Sequence, residues 1–149
     1  MLENNCAVFV GECKLPQKGN ESNRLILRKD IKQVLRKLMA VAEHESKKAG
    51  LEPHTVVQME AAVISTAGQF WESEKDLIAS IQRHLNRKCP GVGNRVKSEF
   101  PLRFMQARLR QDFMRQKRLR VLGIKTWRTW TISCEHDRQG SVSWRIKTQ

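Results

Sequence analysis

Acidic side chains are scarce in this chain of 149 residues. Fifteen Asp and Glu face 28 Lys and Arg, which leaves a net charge of +13 and a pI near 10.2. Nucleases built on several carboxylates around a divalent ion draw on a larger acidic stock. Glu60, Asp76, Asp112 and Asp137 share no spacing that would gather them. Also missing are a run of eighteen apolar residues, so no membrane span is expected, and a cationic-then-apolar stretch after Met1, so no secretory signal is expected. Hydrolase elbows, paired Cys/His motifs of nucleophilic catalysis and HExxH are absent. Gly91 and Gly93 lack both a preceding strand and a following Lys-Ser/Thr, so they form no phosphate loop. No cofactor, internal repeat or low-complexity segment is indicated, and the expectation is a non-enzymatic, intracellular protein, either cytoplasmic or associated with a nucleoid or nucleus.

Four cysteines (Cys6, Cys13, Cys89, Cys134) read as reduced thiols in such a setting. His84, Cys89, Cys134 and His136 could supply four zinc ligands, but structural zinc favours two cysteines on one tight turn, and Cys134 falls on an apolar strand face. Cys6 and Cys13 read as core fillers. Tyr is absent, whereas Trp occurs four times.

What is abundant is basic charge, and it is concentrated. Between Lys97 and Arg128 lie ten Lys or Arg against Glu99 and Asp112, a local net charge of 10 − 2 = +8. Ser98 as a cap, Pro101 in a first turn, and Leu102, Met105, Leu109 and Phe113 on one face at 100° per residue predict a long basic helix. Like charges at i,i+4 destabilise such a helix unless a partner neutralises them.

From Thr129 to Lys147 apolar and polar residues alternate, which predicts a hairpin turning at Asp137-Arg138-Gln139-Gly140 and pairing Cys134 with Trp144 and Ile132 with Ile146. Trp130 and Trp144 belong to its buried face. Trp127, of opposite parity, is expected to be more exposed, either packed under the preceding turn or open to stacking with bases.

Upstream, Cys6 to Val10 reads as a buried strand with Arg24 to Arg28 as its hairpin partner. A first helix starts after Asp30, with Gln33 completing a capping box, buries Ile31, Val34, Leu35, Leu38 and Ala42, and stops at Gly50. A broad apolar arc from Thr55 to Trp71 predicts a central helix with Glu60 inside it, paired with an Arg or Lys. A third helix follows Ser73, with Leu77, Ile78, Ile81 and Leu85 buried. The predicted class is α+β: a mainly helical single domain over 1–149 with a short N-terminal strand or hairpin (1–29), a helical core (30–88), and a basic helix plus C-terminal two-stranded antiparallel hairpin (97–149).

The order helix, strand, turn, strand from Ser98 to Lys147 resembles the second half of a winged helix-turn-helix, which implies a helix in the major groove and a hairpin along the backbone. The partner expected is nucleic acid, DNA ahead of RNA, in a regulatory or accessory role. The contact residues would be Arg103, Arg108, Arg110, Arg115, Lys117, Arg118, Arg120, Lys125, Trp127 and Arg128, extended by Arg138, Arg145 and Lys147. An acidic protein surface is the alternative partner, and the central apolar arc leaves a homodimer open. The reading requires those cations to be free of the chain's own carboxylates.

Overall fold

Phe100, Leu102 and Phe104 alternate with Glu99, Pro101 and Arg103, a period of two that competes with the helical stripe read from the same stretch. The period of two wins. In the structure, a computed structural model that describes residues 6–14, 25–48, 57–88, 99–111, 119–136, 139 and 142–149, this segment is a strand. The elements are β1 (Cys6–Lys14), α1 (Arg28–Lys48), β2 (Val57–Ser65), α2 (Glu74–Lys88), β3 (Glu99–Gln111), β4 (Leu119–His136) and β5 (Val142–Thr148). They form one mixed five-stranded sheet in the order β1-β2-β3-β4-β5, parallel across the first three strands and antiparallel across the last three.

The mainly helical, winged-helix-like class is therefore overturned, and with it the long basic helix and the central helix. Residues 57–65 form β2, flanked by β1 and β3. The C-terminal half of β2 is a near-continuous apolar run (Ala61, Ala62, Val63, Ile64), and its width looks like the arc of a buried helix. Pro101 precedes the first β2 pairing at Leu102, a part of the strand where a missing amide is tolerated.

The parallel strands advance in one direction, so two right-handed crossovers put α1 and α2 on the same face. α1 packs on β1 and β2, α2 on β5, and the helices meet each other. Beneath them lie Val8, Met59, Ala61, Val63, Phe100, Leu102, Phe104, Trp130, Ile132, Cys134, Trp144 and Ile146, all buried. Among the described residues nothing covers the opposite face, where Phe9, Gln58, Glu60, Glu135 and Arg145 are exposed.

Several local expectations survive. The C-terminal hairpin has the anticipated register, Cys134 opposite Trp144 and Ile132 opposite Ile146. Its turn lies outside the described residues except for Gln139. Ser73 Oγ caps α2 by accepting from the Asp76 amide at 3.3 Å. α1 begins at Arg28 rather than after Asp30, because the Asp30 carboxylate reaches back to accept from the Leu27 amide at 2.9 Å, the return half of a capping box. Of the expected partner strand, Arg24 lies outside the described residues and 25–28 form no strand pairing with β1: Ile26 instead bridges Phe70, and the Arg28 guanidinium grips Glu72 at 2.6 Å. That hydrogen bond holds the Glu72 carboxyl below its ordinary range. At the far edge, Asn86 and Gln82 of α2 accept from the Trp144 and Ile146 amides at 2.7 and 3.3 Å, which covers the outer rim of β5.

Phe104 is fully buried whereas Phe9 is 63% exposed on the open face. Phe104→Ala is expected to cost about 3–5 kcal/mol in urea unfolding and Phe9→Ala less than about 1 kcal/mol. Equal losses would contradict the assignment of faces.

Candidate nucleic-acid interface

β3 and β4 are longer than their neighbours. β2 pairs with β3 only as far as Gln106, and β5 pairs with β4 only from Trp130 onward. Among the described residues, 107–111 pair with β4 alone and 119–128 with β3 alone, so a two-stranded ribbon overhangs the sheet by about 17 Å on the β3 side.

Cross-strand partners share a face, so the register sorts the ribbon's two sides. Gln106 stands opposite Lys125, Arg108 opposite Gly123, and Arg110 opposite Arg120. On the other side Met105 meets Thr126, Ala107 meets Ile124, and Leu109 meets Val121. One face is therefore basic by position and the other apolar. Val121 and Ile124 are 50% and 52% exposed, as is Leu122 in the second bulge at 47%. Arg108 and Lys125 are exposed and meet no carboxylate among the described residues.

The ribbon is rooted in aromatic packing. Pairing shifts from Phe104–Arg128 to Met105–Thr126, which leaves Trp127 as the extra residue of a β-bulge. The bulge turns the Trp127 ring toward the core, where it is half-buried: more exposed than the fully buried Trp130, as expected, and packed against neighbouring rings. Its ring lies 5.0 Å from Phe70 and 6.0 Å from Phe104, with Phe70–Phe104 at 4.9 Å and Phe104–Trp130 at 4.7 Å. The Trp127 indole N–H is buried without a hydrogen-bond partner. Beside it, Glu74 at the start of α2 accepts from the Trp130 indole at 3.2 Å and lies 2.9 Å from Arg128 Nε.

Three of the thirteen anticipated contact residues are thus taken up by the chain's own carboxylates: Arg128 by Glu74, Arg103 by Glu60 at 3.1 Å, and Arg145 by Glu135 at 3.1 Å. Glu60 has the basic partner anticipated for it, but on the exposed sheet face rather than in a core. Lys147 is exposed on β5. Arg115, Lys117, Arg118 and Arg138 lie outside the described residues, and Arg110 and Arg120 are placed by their backbone register alone. Sequence reasoning missed the apolar side of the ribbon, Val121 and Ile124. Its signal was present in the alternation from Leu119 to Thr126, obscured by the extra residue at Leu122.

No cluster of three metal-ligating side chains occurs among the described residues. Cys134 is buried under α2, and burial, reinforced by Glu135, pushes its thiol above the ordinary range. Cys13 is exposed, contrary to its expected core role, because it falls on the uncovered face of β1. His84 lies on α2, while Cys89 and the His136 side chain are outside what is described. No helix among the described residues is long and apolar enough to cross a membrane. No protein-family model, curated protein or solved structure matches the chain.

Glu74→Ala is expected to destabilise by about 1–2 kcal/mol, since it strands the Trp130 indole and Arg128 together, with Glu74→Gln recovering part of the loss. Alkylation mapped by mass spectrometry on the native protein is expected to label Cys13 at once and Cys134 only on unfolding. Prompt labelling of Cys134 would place it outside the core.

Proposed function

We propose that this protein binds nucleic acid, with duplex DNA preferred, through the basic face of the β3–β4 ribbon, and that it acts as a non-catalytic accessory or regulatory factor. The observation that carries the reading is a chain-wide excess of positive charge (+13) combined with a protruding ribbon. Its register aligns Arg108, Arg110, Arg120 and Lys125 on one side, and of these Arg108 and Lys125 meet no carboxylate among the described residues. A two-stranded ribbon fits the major groove, about 12 Å wide, and guanidinium forks suit phosphate oxygens and guanine edges. The residues between the two strands add Arg115, Lys117 and Arg118 against Asp112 alone, so the connection continues the same charge.

A second reading has its own support. Val121, Leu122 and Ile124 are exposed on the ribbon, and apolar side chains amid cations suit an acidic protein with a hydrophobic strip. Structured RNA is the third ligand to compare.

Electrophoretic shifts with duplex DNA, single strands and structured RNA at two salt concentrations separate these readings. With about four phosphates neutralised, affinity for duplex DNA is expected to fall roughly 10²-fold between 50 and 200 mM salt. Arg108→Glu/Lys125→Glu should weaken binding and flatten the salt slope. The charge-matched pair Lys29→Glu/Lys75→Glu, on exposed helix positions, should leave binding largely intact. Binding that is indifferent to salt, or equally sensitive to both double variants, rejects the ribbon as the interface. Loss of a protein partner on Val121→Ser/Ile124→Ser, with DNA binding retained, would favour the second reading.

A further inference from the structure

Far from the ribbon's strands, the two helices enclose a second concentration of cations. α1 contributes Lys32 and, one turn on, Arg36. α2 contributes Arg83, His84, Arg87 and Lys88. Between the helices lies a groove of about 320 Å³ lined by Lys32, Ser80, Arg83, His84 and Arg87. Ser80 is only 6% exposed and lines this groove.

Among the described residues, Lys32, Arg36, Arg87 and Lys88 form no ion pair, and Arg83 spends its Nε–H on the Ala79 carbonyl at 3.4 Å. Glu72, the carboxylate that Lys32 influences, is already held by Arg28. Helix polarity accounts for Arg87 and Lys88 in the last turn of α2, where cations are favoured. It does not account for Lys32, which sits near the start of α1, where the helix field repels positive charge. The crowding is felt by His84: desolvation, then Lys32, Arg87, Lys88 and Arg36, hold its imidazole below the ordinary range. Like charges brought together around a groove, with no internal counter-charge, are stabilised by an anion from outside.

We propose that the groove between α1 and α2 is a binding site for a phosphate-bearing ligand, with Lys32, Arg83 and Arg87 as its cationic contacts and Ser80 and His84 as further hydrogen-bond donors. This claim does not rest on the ribbon. The shared chemistry is that of phosphate oxygens, whether the diphosphate of a free nucleotide or the successive phosphodiesters of a nucleic-acid backbone. Anion binding favours the protonated imidazole, so His84 should titrate at higher pH when the groove is filled.

The test is an NMR titration of the imidazole signals of the full chain, with His84 assigned by comparison with His84→Gln. It is run with sodium pyrophosphate and with sodium chloride at matched ionic strength. Pyrophosphate is expected to raise the His84 pKa and chloride to leave it. Lys32→Gln/Arg87→Gln, checked for folding by circular dichroism, should bind at least about tenfold more weakly, while Lys32→Arg retains binding. Repeating the titration with duplex DNA on the Arg108→Glu/Lys125→Glu background identifies the source. A His84 response to DNA that pyrophosphate competes away points to backbone phosphate, and a response to pyrophosphate alone points to a free ligand. The proposal is overturned if chloride reproduces the pyrophosphate shift, if neither anion moves His84, or if the folded double variant binds pyrophosphate as the parent does.

Discussion

The contact of Phe70, Phe104, Trp127 and Trp130 holds the long hairpin to the rest of the molecule. A two-stranded ribbon is marginal in water by itself, because it has no third strand and no helix to bury a face against. Here its order begins where four rings meet at centroid separations of 4.7 to 6.0 Å. Pairs of this kind contribute about 0.5–1.5 kcal/mol each beyond the area they bury. The bulge is essential to that geometry. Without an extra residue, Trp127 would alternate away from Trp130 onto the uncovered face. With it, Trp127 and Arg128 both serve the helix side, one through its ring and the other through Glu74. The cost is a buried indole N–H with no acceptor, a penalty of about 1–3 kcal/mol that the ring packing must offset.

Charge in this protein falls into two populations. Lys14, Arg28, Lys37, Arg103, Arg128 and Arg145 each meet a carboxylate, and together they occupy Asp30, Glu72, Glu12, Glu60, Glu74 and Glu135. Outside these six pairs, which are those of the described residues, the sequence holds 15 − 6 = 9 acidic against 28 − 6 = 22 basic side chains. The described cations left over are not spread evenly. Arg108 and Lys125 stand on the ribbon, and Lys32, Arg36, Arg87 and Lys88 crowd the helix pair. Surface ion pairs contribute little stability, so their larger consequence here is the pattern they leave, in which two groups of unpaired cations stand together on the ribbon and on the helix pair while Lys29, Lys75 and Lys147 lie apart.

The parts legible in the sequence were those where one period had no rival. α2 has a Ser cap and a single apolar stripe, and the C-terminal hairpin has strict alternation, so both appear where expected. α1 was legible except for the role of Asp30, which caps from inside the helix. β2 was not legible because Ala61, Ala62, Val63 and Ile64 run without a polar break, which hides the alternation begun by Gln58, Met59 and Glu60. β3 was misread because Leu102, Met105 and Leu109 satisfy a helical stripe while Phe100, Leu102 and Phe104 satisfy a strand. The decision between them comes from β2 and β4, whose pairing no local window contains. The same non-local dependence hid the groove: Lys32 and Arg87 are 55 positions apart and meet only because two crossovers of one hand stack the helices on one face.

That shared face also explains why the sheet's edges differ. α2 reaches over β5 and satisfies its outward amides with Asn86 and Gln82, so this edge cannot recruit another strand. No helix reaches the outer rim of β1 in this way, but the strand carries Glu12 and Lys14, both tied to α1 through Lys37 and Asp30. The ribbon has neither protection. Among the described residues its two long strands have no further strand partner on their outer rims, and they carry exposed Val121 and Ile124, the composition that ordinarily invites strand addition between molecules. Arg108, Arg110, Arg120 and Lys125 oppose that outcome by mutual repulsion between copies, and two bulges twist the ribbon away from a flat edge. The cations that would meet a polyanion are therefore also the ones that keep an uncovered ribbon from pairing with its own kind. Neutralising them by substitution should expose both roles at once.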